Sequence, residues 1–279
     1  ERCPVFGGTA KSIDEAAALK VKGVEKVIRM PEPTSPPAYN PIGGVAVLAS
    51  NTWSAEQGRK ALAVEWDTGL NAEYDSESYR QQLVDTSHKD GKTALNRGDV
   101  NAAFENSTRV IEADYYAPHL SHAPMEPPAA TARMHEDGSV EIWAATQDPQ
   151  SVQGTVAALL EIDKAQVKVN VTLLGGAFGR KSKADFSAEA AWLAKKTGKP
   201  VKVSWSREDD IRHGYYHSVS AQYLKGALDD EGNATAWLHR SVFPSIGSTF
   251  SAEAAGPGNF ELSLGMLDNP YAIPNMRLE

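Results

Sequence analysis

The sequence predicts an α+β fold. Three observations carry the prediction. Alternating apolar runs of strand length recur along the chain, helical stripes with capping residues stand among them, and the two mix without strict strand–helix–strand alternation. The 279 residues allow one or two domains. A net charge of −8 argues against a nucleic-acid or membrane-surface partner. Cys3 is the single cysteine, so this chain alone offers no disulfide framework, CxxC zinc site or iron–sulfur cluster. No run of about 18 apolar residues is present, so no membrane span is expected.

Three parts follow from the patterns. Residues 1–68 read as a small α/β unit. "KSIDEAAALKVKG" suggests a short helix, with Ser12 as cap, Glu15 completing a capping box and Gly23 ending it. "VEKVIRM" alternates as a strand, and "PEPTSPPAYNP" is a proline-rich loop. "GGVAVLAS" is a buried strand, "NTWSAEQGRKAL" a helix capped by Asn51 or Thr52, and "AVEWD" another strand. Residues 69–107 are polar and read as a linker wrapping the surface. Within them "DSESYRQQLVDTS" and "DVNAAFENS" suggest short surface helices.

The third part spans 108–279. "TRVIEADYYAP" is a strand, and "ATARMHEDGSVEIWAAT" a hairpin turning at Asp137-Gly138. "DPQSVQGTVAALLEI" is a helix with Asp148 as cap, Pro149 in the first turn and an apolar stripe of Val152, Val156, Leu159 and Leu160. The strand "QVKVNVTLL" follows. "DFSAEAAWLAKKTG" is a helix ending at Gly198, and Pro200 opens the strand "PVKVSWS". "HSVSAQYLKGAL" and "ATAWLHRSVF" form a long hairpin joined by "DDEGN".

The chemistry centres on "LLGGAFGRK", Leu173–Lys181, where three glycines follow a strand directly. Bare backbone between a strand and a helix is suited to cradling an anion, because its N–H groups point into the gap. The stretch is neither a Walker loop nor G-x-G-x-x-G, and a structural turn fits its spacing as well. "ATQDPQ" sits at another strand-to-helix switch, where Gln147 is either a turn residue or an amide donor. His119 and His122 of "HLSH" lack carboxylates at ligand spacing, so satisfied or exposed histidines are expected. "SREDDIRH" reads as a solvated turn at a strand end. Hydrolase motifs of the G-x-S-x-G and H-E-x-x-H kinds are missing.

The order of these pieces is more specific than any one of them. "HAPMEPP", "ATQDPQ", "LLGGAFGRK" and "KPVKVSWSREDDIRHGYYH" together resemble the large subunit of the molybdenum hydroxylases, the xanthine dehydrogenase and aldehyde oxidase family. "GGAFGR", with Arg180 where many members carry glycine, is most similar to the branch formed by the isoquinoline 1-oxidoreductase beta subunits. "PVFGGTAKSIDEAAALKVKGVEKVIRM" and "GVAVLASNTWSAEQGRKALAVEWD" resemble that branch's hammerhead α/β domain.

The resemblance implies a partial hammerhead domain followed by the first part of a molybdopterin-binding domain. It implies that Phe178 and Gly179 present main-chain N–H groups near the oxygen ligands of the metal. Gln147 hydrogen-bonds one such ligand, Gly175, Gly176 and Ala177 shape the turn, and Arg180 completes the cofactor-binding stretch. The implied cofactor of the full-length protein is a molybdenum–molybdopterin in its cytosine dinucleotide form, with none expected on this chain alone. The implied partners are a small 2Fe–2S subunit and an N-heteroaromatic or aldehyde substrate, with water supplying the oxygen. Bacterial cytoplasm and periplasm are both compatible compartments.

Departures from the family pattern set further expectations. The general-base glutamate lies beyond residue 279, so no catalytic residue is expected within the chain. On its own the chain should be inactive and should purify without molybdenum, its half of the cofactor pocket open to water. Lys181 is followed by Ser182 where many relatives have glutamate, which counts against a xanthine-type substrate. A non-catalytic assembly or partner-binding module of the same subunit type is the alternative.

Overall fold

The computed structural model describes residues 1–263 and 265–279. In chain order the strands are β1 (Thr9–Asp14), β2 (Val24–Arg29), β3 (Val45–Ala49), β4 (Ala63–Asp67), β5 (Leu95–Arg97), β6 (Arg109–Ala117) and β7 (Ala129–Met134). They continue with β8 (Val140–Ala144), β9 (Val167–Val171), β10 (Val201–Ser204), β11 (Ser220–Leu228), β12 (Ala234–Val242) and β13 (Asn275–Leu278). The helices are α1 (Ala16–Leu19), α2 (Thr52–Ala61), α3 (Ser76–Ser87), α4 (Val100–Glu105), α5 (Pro149–Leu160), α6 (Asp185–Thr197), α7 (Arg207–His213) and α8 (Asn259–Leu262). The α+β class is therefore observed. Among the described residues no helix is long and apolar enough to cross a membrane.

Two compact units form, and each is discontinuous in sequence. One joins Glu1–Glu73 to Ser121–Tyr216, the other Tyr74–Leu120 to His217–Glu279. The sequence divisions at 68 and 107 mark changes of composition, whereas compactness follows strand pairing.

In the first unit a four-stranded sheet runs in the order β10-β7-β8-β9. The β7–β8 hairpin is antiparallel, with Ala130 opposite Ala144, and its turn holds Gly138 at φ 84°. β8 and β9 are parallel, connected through α5. The cap of α5 is as expected: the Asp148 carboxylate accepts from the Ser151 N–H at 2.9 Å. Its stripe buries Val152, Val156 and Leu160 against the sheet, with α6 contributing Phe186, Ala188, Ala190, Ala191 and Ala194 to the same core. Gly198, at φ 66°, ends α6.

The same unit contains two ribbons, β1–β4 and β2–β3. Here the expected helix start is corrected. Ser12 lies in β1, opposite Glu65 of β4, and its hydroxyl donates to the Glu65 carboxylate at 3.0 Å. Strand pairing over Thr9–Asp14 outweighs the capping pattern, and α1 is left with one turn, Ala16–Leu19. Asn51, rather than Thr52, caps α2, accepting from the Ser54 N–H.

In the second unit a five-stranded sheet runs β5-β13-β12-β11-β6. The β11–β12 hairpin is the long one expected. The stretch 69–107 keeps most of its residues exposed, but its helices also dock on the sheet. α3 sets Leu83 against Val219 and Ala221, and α4 sets Val100 against Ala227 and Ala236. β5 pairs with β13. One buried apolar residue per helix was enough to build this polar stretch into a core, a signal too sparse for periodicity to reveal.

Candidate functional site

Strand direction brings the candidate residues together. β8 and β9 are parallel, with Ala144 opposite Val171, so their carboxyl ends open side by side. "ATQDPQ" leaves the first and "TLLGGAFGRK" the second. The Thr172 N–H donates to the Ala144 carbonyl at 3.1 Å, and the Gln147 N–H to the Lys181 carbonyl at 2.9 Å. The side-chain oxygen of Gln147 accepts from the Gly179 N–H at 3.0 Å. Two residues 32 positions apart thus share one hydrogen bond, which a turn closed by neighbouring backbone alone would not give.

The turn is locally strained. Gly176 and Gly179 sit at φ 87° and 97°, and Phe178, which has a Cβ, sits at φ 54°. A non-glycine residue in that region costs about 1–2 kcal/mol. Phe178 nevertheless presents its ring to solvent, 71% exposed, so packing does not offset the strain. Gly175 is tied on both sides to Glu126: its N–H donates to the carboxylate at 3.1 Å, and its carbonyl accepts from the Glu126 N–H at 2.8 Å. Ala177 is buried beneath the turn.

Two features bear on the expected cradle. The Gly179 N–H, expected near an oxygen ligand of the metal, donates to the Gln147 side chain. The Arg180 side chain faces inward. It is 1% exposed and forms a bidentate pair with Asp185 at 2.9 and 2.7 Å, its guanidinium against Trp205 and Tyr215.

Sequence reasoning passed over four residues here. Lys181 is wholly buried, its ammonium 2.5 Å from the Glu126 carboxylate. That hydrogen bond, with the Gly175 N–H, holds the Glu126 carboxyl below its ordinary value. Arg207 donates to the Pro124 and Met125 carbonyls at 2.5 and 2.8 Å and pairs with Asp210 at 2.6 Å. Burial pushes the Asp210 carboxyl up. "SREDDIRH" is accordingly no solvated turn. It is the helix α7, with Asp209, Asp210 and His213 buried. The readable signal was its capping box, Ser206 with Asp209 three residues on. His122 lies beside the turn, and among the described residues no cluster of metal-ligating side chains forms.

The sequence profile of the molybdopterin cofactor-binding domain matches residues 84–279. The chain belongs to this family. Over its whole length it is 29% identical to the beta subunit of the isoquinoline 1-oxidoreductase of Brevundimonas diminuta, covering 36% of that protein. It is 25% identical to a subunit of the nicotinate dehydrogenase of Pseudomonas putida, covering 98% of this chain and 22% of that one. The aldehyde oxidoreductase from Desulfovibrio gigas shares the fold, with a TM-score of 0.72 at 20% identity, covering 99% of this chain and 34% of that chain. The chain spans about a third or less of the length of these relatives.

The turn needs bare main chain for its own packing, and beside it stands an exposed donor suited to an oxygen-rich group. A Cβ on Gly175 would meet the Glu126 Cβ at 2.6 Å, and one on Gly179 would approach His122 Nε2 to 3.4 Å at a backbone angle that side chains rarely adopt. With its oxygen committed to Gly179, exposed Gln147 keeps its NH2 group as a donor.

Proposed function

We propose that the chain forms one part of the molybdenum-cofactor site of an oxidoreductase subunit, with the Gly175–Arg180 turn and Gln147 as its share of the cradle. One observation supports this above the others: the Gln147–Gly179 hydrogen bond at the carboxyl edge of β8 and β9, beside the strained and exposed Phe178. The Gln147 NH2 and the Phe178 main-chain N–H would hold oxygen ligands of the metal. Gly175 makes room for Glu126, Gly176 and Gly179 supply the positive φ the turn needs, and Arg180 anchors the turn through Asp185. Once bound, the cofactor would supply the two-electron chemistry by which water is used to hydroxylate a carbon centre.

The substrate we favour is an N-heteroaromatic, since two relatives are named for isoquinoline and nicotinate; an aldehyde is the second choice. A small iron–sulfur subunit would take the electrons. The chain's own residues bind and orient, and proton transfer falls to a glutamate outside them.

Gln147→Glu tests the reading in the whole subunit. It keeps the acceptor that holds Gly179, replaces the donor by an oxygen and scarcely changes shape. Loss of such a ligand-orienting partner typically costs about 10–100-fold in metal affinity. The expected result is a protein that folds normally and purifies with at least about tenfold less molybdenum. A variant loaded like the wild type would return the turn to a purely structural role.

A further inference from the structure

We infer that Lys181 is a positioning residue whose ion pair with Glu126 fastens three loops into one cradle and fixes the conformation of the Gly175–Gly179 turn. This rests on reading that turn as a cofactor platform.

Lys181 is wholly inaccessible, and an ammonium removed from water is retained only against a well-placed acceptor. Its acceptor, Glu126, is half exposed, so the pair is not simply a buried unit of the core.

Both ends of Lys181 are used. Its carbonyl accepts from the Gln147 N–H at 2.9 Å and from the Thr146 hydroxyl at 3.0 Å, which holds the "ATQDPQ" loop. Its ammonium holds Glu126, and the same carboxylate oxygen holds the Gly175 N–H. The "HAPMEPP" loop is steadied on its other side by Arg207, through the Pro124 and Met125 carbonyls. Lys181 is thus linked to the first residue of the turn through Glu126, and to the acceptor of the Gly179 N–H through the Gln147 main chain.

A lysine that merely fills space makes a different prediction from one that positions. Removing one partner of an ion pair is costly when the other charge stays buried, but Glu126 is half exposed and its carboxylate can be hydrated once Lys181 is replaced by an apolar residue of similar shape. If Lys181 only fills space, Lys181→Met should leave the turn as it is. If it positions the turn, the global stability holds while the turn loosens. In the 279-residue chain we expect Lys181→Met to shift the Gly175 and Gly179 amide resonances and to speed their hydrogen exchange at least about tenfold, with the denaturation midpoint unchanged or raised. Glu126→Gln should loosen the same amides to a smaller degree, because it keeps an acceptor oxygen, but should lower the denaturation midpoint, because it leaves the buried Lys181 ammonium without its counter-charge.

Each of these variants should also lose molybdenum in the whole subunit, Lys181→Met at least about tenfold. Unchanged amide signals and full molybdenum in both, alongside a Gln147→Glu variant that has lost its metal, would overturn the positioning role alone. Full molybdenum in Gln147→Glu would instead overturn the platform reading beneath it.

Discussion

The stretches Leu173–Ser182 and Ser206–His213 follow opposite edges of one sheet, the first after β9 and the second after β10. In sequence both fit turns. In the structure they diverge. The glycine turn has Phe178 exposed at a positive φ and commits its Gly179 N–H to the Gln147 side chain. The other stretch closes into α7 and faces its charges inward. Asp209 there is paired with Arg59 at 2.7 and 2.8 Å. Burial acts to raise this carboxyl, but the Arg59 hydrogen bonds and the nearby Arg2 hold it at about 2. One edge uses its polar groups for stability, and the other holds an exposed phenylalanine in spite of strain. Exposed strain that packing does not require marks the place where a site is to be sought.

The contrast breaks most readily at Arg180, where the two regions meet in character: a residue of the glycine turn that behaves like α7. Both it and Asp185 are 1% exposed. Asp185→Ala leaves a buried guanidinium without its bidentate acceptor, and such a loss costs about 3–5 kcal/mol. Urea denaturation measures it. A loss below about 1 kcal/mol would mean that Arg180 turns outward, and the inward and outward faces would no longer be distinct.

Much of this was legible in the sequence and some was not, for identifiable reasons. The order of "HAPMEPP", "ATQDPQ" and "LLGGAFGRK" carried the family, and the apolar stripe of α5 carried its packing. Gln147 and Gly179 were placed together through the family resemblance; their direct bond needed the parallel pairing of β8 and β9. α7 escaped because hydrophobic periodicity reports apolar burial alone. Its only strongly apolar residue, Ile211, is 46% exposed, while its buried face is made of Asp209, Asp210 and His213. Lys181 escaped for the same reason, since nothing in a lysine's neighbours announces that it will be fully buried. Ser12 misled because a capping pattern is local and the β1–β4 pairing is not.

A second, smaller effect separates the two edges by pH. Burial, and after it the charge of Arg2, lowers His213 from 6.5 to about 4. The folded value lies below the unfolded one, so the fold prefers the neutral ring. Its contribution is complete above pH 6.5 and is lost as pH falls towards 4, reaching about 3 kcal/mol at most. Wild-type stability should therefore decline across that window, and His213→Asn should flatten the decline. The glycine turn has its acid-sensitive group in Glu126, which the Lys181 hydrogen bond lowers, so its pair persists to lower pH than an unpaired glutamate would allow. An undiminished decline in His213→Asn would remove α7 as the source of the sensitivity.

The smallest effect is the most discriminating, because its sign differs between the edges. Phe178 and Ile211 are both exposed apolar residues, 71% and 46%. Replacing Ile211 by glycine, inside a helix, should destabilise by a few tenths to about 1 kcal/mol through backbone entropy and lost propensity. Replacing Phe178 by glycine incurs a similar entropy cost but relieves a φ of 54°, worth about 1–2 kcal/mol. Phe178→Gly should therefore be neutral or stabilising by up to about 1 kcal/mol in the same denaturation experiment. A clear destabilisation would show that the Phe178 ring packs after all, and that its conformation serves the fold. The expected sign means the reverse: the fold would be as well or better off without this phenylalanine, so what keeps it at φ 54° is a demand of the site and not of stability.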